Sequence, residues 1–286
     1  MAGQWAQKTA EQLLDRGLID AGACLILGGA DTGKTTLAEE LSKRLALGKP
    51  VGIIDADVGQ SHIGPPTTVG WAVAQKPHAG FDRLTPGGID FVGDITPVGH
   101  LLQLTAAIVQ CARVVSGAAE AILIDTPGFV STGPAAALWW TVERLLKPRT
   151  VLAVERGGEL GDILAGLKGT GCRIERVKSA ADVRAKSPQQ RQAYRQRRFE
   201  EYFEDSRLHD ICLKDVAVRA RPRSVSQNMP GRLVGLRDEN GRDAAIGAVG
   251  AWEHDSALAT IRAPKLDIEK IRCIVVGDVT VDIHGA

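Results

Sequence analysis

The 286-residue chain has no paired cysteines, no apolar run of membrane length and almost no charge excess. Five cysteines, Cys24, Cys111, Cys172, Cys212 and Cys273, are scattered without a CxxC pair or a histidine at ligand spacing. That argues against a zinc framework or a disulfide scaffold and predicts small core residues in a reducing compartment. No stretch approaches the ~20 apolar residues of a membrane span. The opening MAGQWAQKTAEQLLDRGLI carries charges throughout and reads as an amphipathic helix, not a signal peptide. A soluble, cytoplasmic protein with no membrane contact is therefore expected. Lys plus Arg number 35 against 34 Asp plus Glu, so net charge points to no class of partner, and any such case must come from local clusters. Internal repeats and low-complexity segments are also missing.

What is present is an alternation of short β-branched runs with longer segments of helical period, the pattern of an α/β fold with a parallel sheet flanked by helices. Strands are predicted at 24–29, 51–56, 121–126, 150–155 and 172–177, and helices at about 33–47, 99–115, 134–146 and 160–168. Near residue 206 the pattern changes to short alternating runs, such as RLVGLRDENG and CIVVGDVTVDI, punctuated by Gly, Pro and Asn. Two domains are expected, 1–205 and a small C-terminal β-rich domain at 206–286.

After the first strand comes GGADTGKTT, in which Gly28, Gly33, Lys34 and Thr35 fit GxxxxGK[ST], followed by the helical run TLAEELSKRLA. Glycines let such a loop curl so that backbone N–H groups face phosphate oxygens beside the positive end of a helix dipole. Gly28, Gly29, Ala30, Asp31, Thr32, Gly33, Lys34, Thr35 and Thr36 are the expected nucleotide-binding residues, with Lys34 reaching the β and γ phosphates and Thr35 ligating Mg²⁺. ATP, or another NTP, and Mg²⁺ are the expected cofactors. The next strand ends in IIDADVGQ, placing Asp55 and Asp57 where a neighbouring strand brings carboxylates to the metal shell. One carboxylate can hold the metal or its waters and the other can accept a proton from an incoming hydroxyl.

Three classes share this core. DTPG at 125–128 matches the γ-phosphate sensor of a GTPase, yet no [NT]KxD reads guanine; the near miss is PKLD at 264–267. A ParA-like ATPase wants a second lysine early in its loop, and GGADTGK has none. A kinase needs a base, a substrate groove and an arginine-bearing lid. Residues 176–203 supply the lid, with eight Lys or Arg through Arg198 against the single acid Asp182 over that stretch. On a helix Arg191, Arg195 and Arg198 fall on one stripe. A nucleotide-dependent switch or assembly ATPase or GTPase is the alternative reading.

The set GGADTGKTT, DADVGQ followed by PP, GDITP (93–97), DTPGFVSTG (125–133), VER (154–156) and the R-x₃-R-x₂-R…EYF lid resembles the polynucleotide 5′-hydroxyl kinase family. That family includes the kinase subunit of the mRNA cleavage and polyadenylation machinery and the ribosomal RNA processing kinase, and the resemblance is to its bacterial or archaeal type. It implies a P-loop kinase domain with a basic helical lid at about 176–205, acting on 5′-OH ends of RNA or DNA. Asp57 matches the family's general base, leaving Asp55 for the metal and Gln60 to arrange the site. Thr96 and Pro97 match the clasp on the nucleic-acid end. Thr126, Gly128 and Gly133 match the segment lining the substrate groove, and Arg191 and Arg195 match the lid arginines, with Arg198 and Lys178 in reserve. Phe129 stands where eukaryotic members have a stacking tryptophan, and His100 where the clasp often has Asn. Only about twenty residues precede the first strand, so the cover over the adenine is expected to differ from the large N-terminal domain of eukaryotic members. Trp139 and Trp140 are expected in the core, no metal role is expected for His254 or His284, and nothing in the sequence indicates a protein partner.

Overall fold

The computed structural model describes residues 2–131, 133–180, 185–220, 229–253 and 255–282. Asp182, His254 and His284 lie outside the described residues. Among those described, no helix is long and apolar enough to cross a membrane.

Helix α1 (Ala2–Asp15) leads into β1 (Gly22–Gly28), whose last five residues are buried because both faces of a central parallel strand are covered. The phosphate-loop motif opens α2 (Lys34–Leu45), which presents Leu37, Ala38 and Leu41 to the sheet at helical spacing. Then follow β2 (Val51–Asp55), β3 (Thr68–Ala74), β4 (Gly88–Phe91), α3 (Leu101–Val115), β5 (Ala121–Asp125), α4 (Gly133–Leu146), β6 (Thr150–Glu155), α5 (Gly161–Gly166) and β7 (Arg173–Lys178). Strands β7, β6, β1, β5 and β2 run parallel in that spatial order. These are the five strands that the apolar runs predict. Buried side chains form one cluster on each face of this sheet.

The departure comes at β3 and β4, which continue the sheet antiparallel from β2. Strand β4 is four residues long and opens on glycine, too short a run to announce itself. Helix α6 (Pro188–Phe203) is the expected lid, started by a capping box in which Ser187 and Gln190 each bond the other's backbone N–H. The remaining strands are β8 (Arg207–Cys212), β9 (Ala217–Arg219), β10 (Arg232–Asp238), β11 (Asp243–Glu253), β12 (Leu258–Ala263) and β13 (Ile271–Thr280). They pair mainly with one another, but β11 also meets β4, so one sheet runs from the parallel core into the C-terminal strands.

Candidate active site

Chemistry in an open α/β sheet collects at the carboxyl ends of the parallel strands, where loops leave for their helices. Here β1, β2 and β5 end side by side, with Asp55 paired in register to Asp125. The loop after β1 needs its glycines for distinct reasons. A Cβ on Gly28 would sit 2.3 Å from the Val154 carbonyl oxygen, and Gly33 holds φ 92°, a left-handed conformation that favours glycine. Lys34 is buried, and its Nζ donates to the Gly29 carbonyl at 2.7 Å across the loop. Burial lowers its pKa, while Asp125, Asp57 and Asp31 oppose that shift.

A cleft of about 490 Å³ opens over this edge. Ala30 through Thr36 form its floor, Asp57, Gly59 and Gln60 one wall, Thr96 and Pro97 a second, and Gly128 and Phe129 a third. Lys186, Arg191 and Arg195 close it from the lid. The phosphate loop, Asp57, Thr96 and Pro97, Phe129, and Arg191 and Arg195 of α6, far apart in sequence, thus share one cavity.

The two aspartates of DAD are used differently. Asp55 is fully buried, and its carboxylate accepts the backbone N–H groups of Asp57, His62 and Ile63. It organises the loop after β2 and does not line the cleft. Asp57 lies beyond the strand end; its Oδ1 accepts from Gly59 and Gln60 N–H, each at 3.1 Å, which orients the carboxylate at the cavity wall.

Beside Asp55, Asp125 makes the contact expected of a metal-site carboxylate. Thr35 Oγ1 donates to Asp125 Oδ2 at 2.6 Å, and Asp125 Oδ1 is buried with no hydrogen-bond partner among the described residues. Burial and the neighbouring Asp55 push the Asp125 carboxyl up to about 7. An orphaned carboxylate oxygen beside a phosphate-loop hydroxyl suits a hard divalent cation. Asp125 had no role in the sequence expectations, where DTPG stood as a GTPase sensor and, within DTPGFVSTG, as part of the family resemblance; its place at the end of the apolar run AILID, like that of Asp55 in IID, was the available signal.

Several expected residues sit behind the cleft. Thr126 donates from Oγ1 to the Ile26 carbonyl at 2.6 Å and is buried. His100 lies outside the cavity, its Nε2 3.1 Å from Asp278 Oδ2 and 3.5 Å from Asp94 Oδ2, where it ties the 93–97 loop to β13. Gly133 starts α4 on the surface. Trp139 is in the core, its Nε1 donating to the Phe129 carbonyl at 2.8 Å, and so steadies the loop that carries Phe129. Trp140 bonds the Ile163 carbonyl but keeps 41% of its surface exposed.

The lid is docked. Tyr194 donates its hydroxyl to the Ser61 carbonyl at 2.9 Å, and Arg198 donates to the carbonyls of His62 and Gly64 at 3.0 and 2.8 Å. Phe199 and Phe203 are buried with Phe91, Leu233 and Ile246, which anchors the helix on the C-terminal strands. Arg198 is therefore a fastener, whereas Arg191 and Arg195 reach the cavity. Arg191 pairs with Asp31 of the phosphate loop, a contact with no sequence signature. Arg195 makes no ion pair among the described residues, and burial together with repulsion from Arg191 lowers its pKa.

A glycine loop with buried lysine at the head of α2, a carboxylate on the adjoining strand and arginines on the docked helix α6 define a P-loop protein. Residues 28–205 match the family described as mRNA cleavage and polyadenylation factor CLP1 P-loop, and the chain belongs to that family. It is 33% identical over 195 residues to a polyribonucleotide 5′-hydroxyl-kinase of Pyrococcus abyssi, covering 68% of this chain and 54% of the relative. A polyribonucleotide 5′-hydroxyl-kinase of Methanocaldococcus jannaschii is 31% identical over 195 residues, with 68% and 54% covered. The chain spans about half the length of these curated relatives. Among solved structures, one of a complex of Clp1p with Pcf11p superposes with a TM-score of 0.69 at 13% identity, covering 96% of this chain and 77% of that one. That likeness speaks to fold.

Proposed function

We propose that this protein is a Mg²⁺-dependent polynucleotide 5′-hydroxyl kinase, transferring the γ-phosphoryl group of ATP or another NTP to the 5′-OH end of RNA or DNA. The observation that carries the reading is the convergence of Lys34, Asp57, Arg191 and Arg195 on one cavity. The names of the archaeal relatives support it.

Phosphoryl transfer needs in-line placement of the acceptor and compensation of charge spreading over the transferred group. The loop amides and Lys34 hold the phosphates. Thr35 and Asp125 fit Mg²⁺, which when bound would screen the charge between β- and γ-phosphates. Asp55 supports that ion only indirectly, by fixing the loop that carries Asp57. Asp57 accepts the proton of the 5′-hydroxyl as the new O–P bond forms and the bond from the γ-phosphorus to the β–γ bridging oxygen breaks, releasing the nucleoside diphosphate, and Gln60 holds the adjoining wall. Arg191 and Arg195 brace the transferring group from the lid, and closure of α6 keeps water from competing as acceptor. Thr96 and Pro97 border the place for the end of the strand, and Phe129 offers its ring to the terminal base. Residues 206–286 form, in this reading, a β-rich unit whose apolar contacts anchor the lid.

Transfer of label from γ-labelled ATP to matched 5′-OH RNA and DNA oligonucleotides tests this, with Lys34→Ala as the blank. Labelled oligonucleotide that is absent with the variant supports the kinase. Hydrolysis without labelled oligonucleotide rejects it in favour of a nucleotide-driven switch.

A further inference from the structure

We infer that Trp5 of α1 is the platform on which the base of the donor nucleotide stacks, in a subsite separate from the phosphate cleft. The inference rests on the reading of the P-loop as a nucleoside triphosphate site and adds where the rest of that nucleotide lies.

A second cleft, of about 360 Å³, lies between α1 and β7. On α1 it is lined by Trp5, Lys8, Thr9 and Gln12, which share one helical face at spacings of three and four. Arg176 and Lys178 of β7 form the opposite side, and a two-pronged Arg16–Glu175 pair, at 2.7 and 2.9 Å, lies at its rim. Trp5 joins this cleft to the phosphate loop. Its six-membered ring meets Gly33, coming within 3.0 Å of where a Cβ would stand, and its Nε1 donates to the Lys178 carbonyl at 3.0 Å. The next residue, Ser179, donates to the Thr32 carbonyl at 2.8 Å. The carboxyl end of β7, the indole and the last turn of the phosphate loop are therefore in mutual contact, and Trp5 is only half-buried there.

The direction of the nucleotide follows from the first cleft. Asp57 and the lid arginines mark the γ-phosphate end, where the acceptor enters. Phosphates on the amides that open α2 must send ribose and base the other way, past Gly33 and the start of α2 along the carboxyl edge of the sheet. The aromatic surface touching Gly33 on that side is Trp5. A flat indole suits a base face, and the Thr9 hydroxyl and Gln12 amide, neither hydrogen-bonded among the described residues, offer polar groups to its edge.

The test compares ATP with inorganic tripolyphosphate, which keeps the phosphates and lacks the base. Binding of each to the full chain with Mg²⁺ is measured by calorimetry for the unmodified protein, Trp5→Ala and Trp5→Phe. Trp5→Ala is expected to weaken ATP roughly tenfold while leaving tripolyphosphate unchanged, with Trp5→Phe recovering most of the loss. Equal weakening of both ligands would reduce Trp5 to a prop for the loop, and unchanged ATP binding would also overturn the proposal. Should Trp5→Ala fail to fold, tryptophan fluorescence decides: ATP, but not tripolyphosphate, must quench a component of emission that is missing in Trp5→Phe, and its absence overturns the proposal. If neither ligand binds the unmodified protein, the nucleotide reading itself fails, and the subsite with it.

Discussion

Two clusters in this molecule, one partly and one fully buried, have the same composition, two aspartates and one cation, and opposite arrangements. At the junction of β4 with β11, Arg237 donates to both oxygens of Asp243, at 3.1 and 2.8 Å, and comes within 3.7 Å of Asp90. The Phe91 N–H also donates to Asp243, at 2.7 Å. At the phosphate edge, Asp55 and Asp125 share a register with Lys34 nearby, yet Lys34 donates to a carbonyl and one oxygen of Asp125 has no partner among the described residues. Charge matched within the protein stabilises a fold, whereas charge left unmatched in a buried place is held for something that arrives. The first cluster joins the two parts of the sheet; the second is where the proposed function puts phosphate and metal.

The sharpest break in that comparison is Lys34→Ala, expected to abolish transfer to a 5′-OH oligonucleotide while the variant melts near the parent temperature. A substitution at the junction should do the reverse. Next comes Asp57→Asn, expected to lower kcat by ~10²–10⁴-fold with nucleotide affinity nearly unchanged, as loss of a general base predicts. Full activity in that variant would remove Asp57 from the mechanism. Arg237→Met strands a buried carboxylate and should destabilise the fold by about 3 kcal/mol or more in chemical denaturation, with kcat per folded molecule retained. Asp125→Asn should raise the Mg²⁺ concentration for half-maximal activity by roughly 10–100-fold, whereas Asp55→Asn should not. Equal metal dependence in the two variants would erase the distinction drawn between them.

The smallest effect concerns pH. Burial and the neighbouring Asp243 push the Asp90 carboxyl up to about 7, against the pull of Arg237. A carboxyl held above its unfolded pKa gives up stability as pH rises, because ionising it is what the folded state resists. Between about pH 4 and 7 the parent should lose stability through this group, and Asp90→Asn should lack that component of the slope. Denaturation midpoints taken across the range would measure it, and parallel curves for the two proteins would refute it.

Legibility in the sequence followed the range of the interaction. The five parallel strands were legible because a strand covered on both faces must be a short continuous apolar run, and the phosphate loop because its glycines answer to local geometry. The lid could be read from the density of its cations. Strands β3 and β4 were not legible, since an antiparallel extension depends on a partner elsewhere. The resemblance matched Asp57 to the base and left Asp55 for the metal, but three backbone N–H groups claim the Asp55 carboxylate where the chain turns after β2. His100 and Thr126 carried the right residue types but face away from the cavity.

By itself the sequence determined the parallel core, the phosphate loop, the candidate base and the basic helix, because each is written in side-chain type and spacing over a few turns of chain. Tertiary structure alone decided which aspartate stands beside Thr35, which arginines of one stripe reach the cavity and which fastens the lid, and that Arg191 meets Asp31. Those outcomes depend on which strand ends lie side by side and which carbonyls a docked helix covers, and such proximities arise only when distant segments pack.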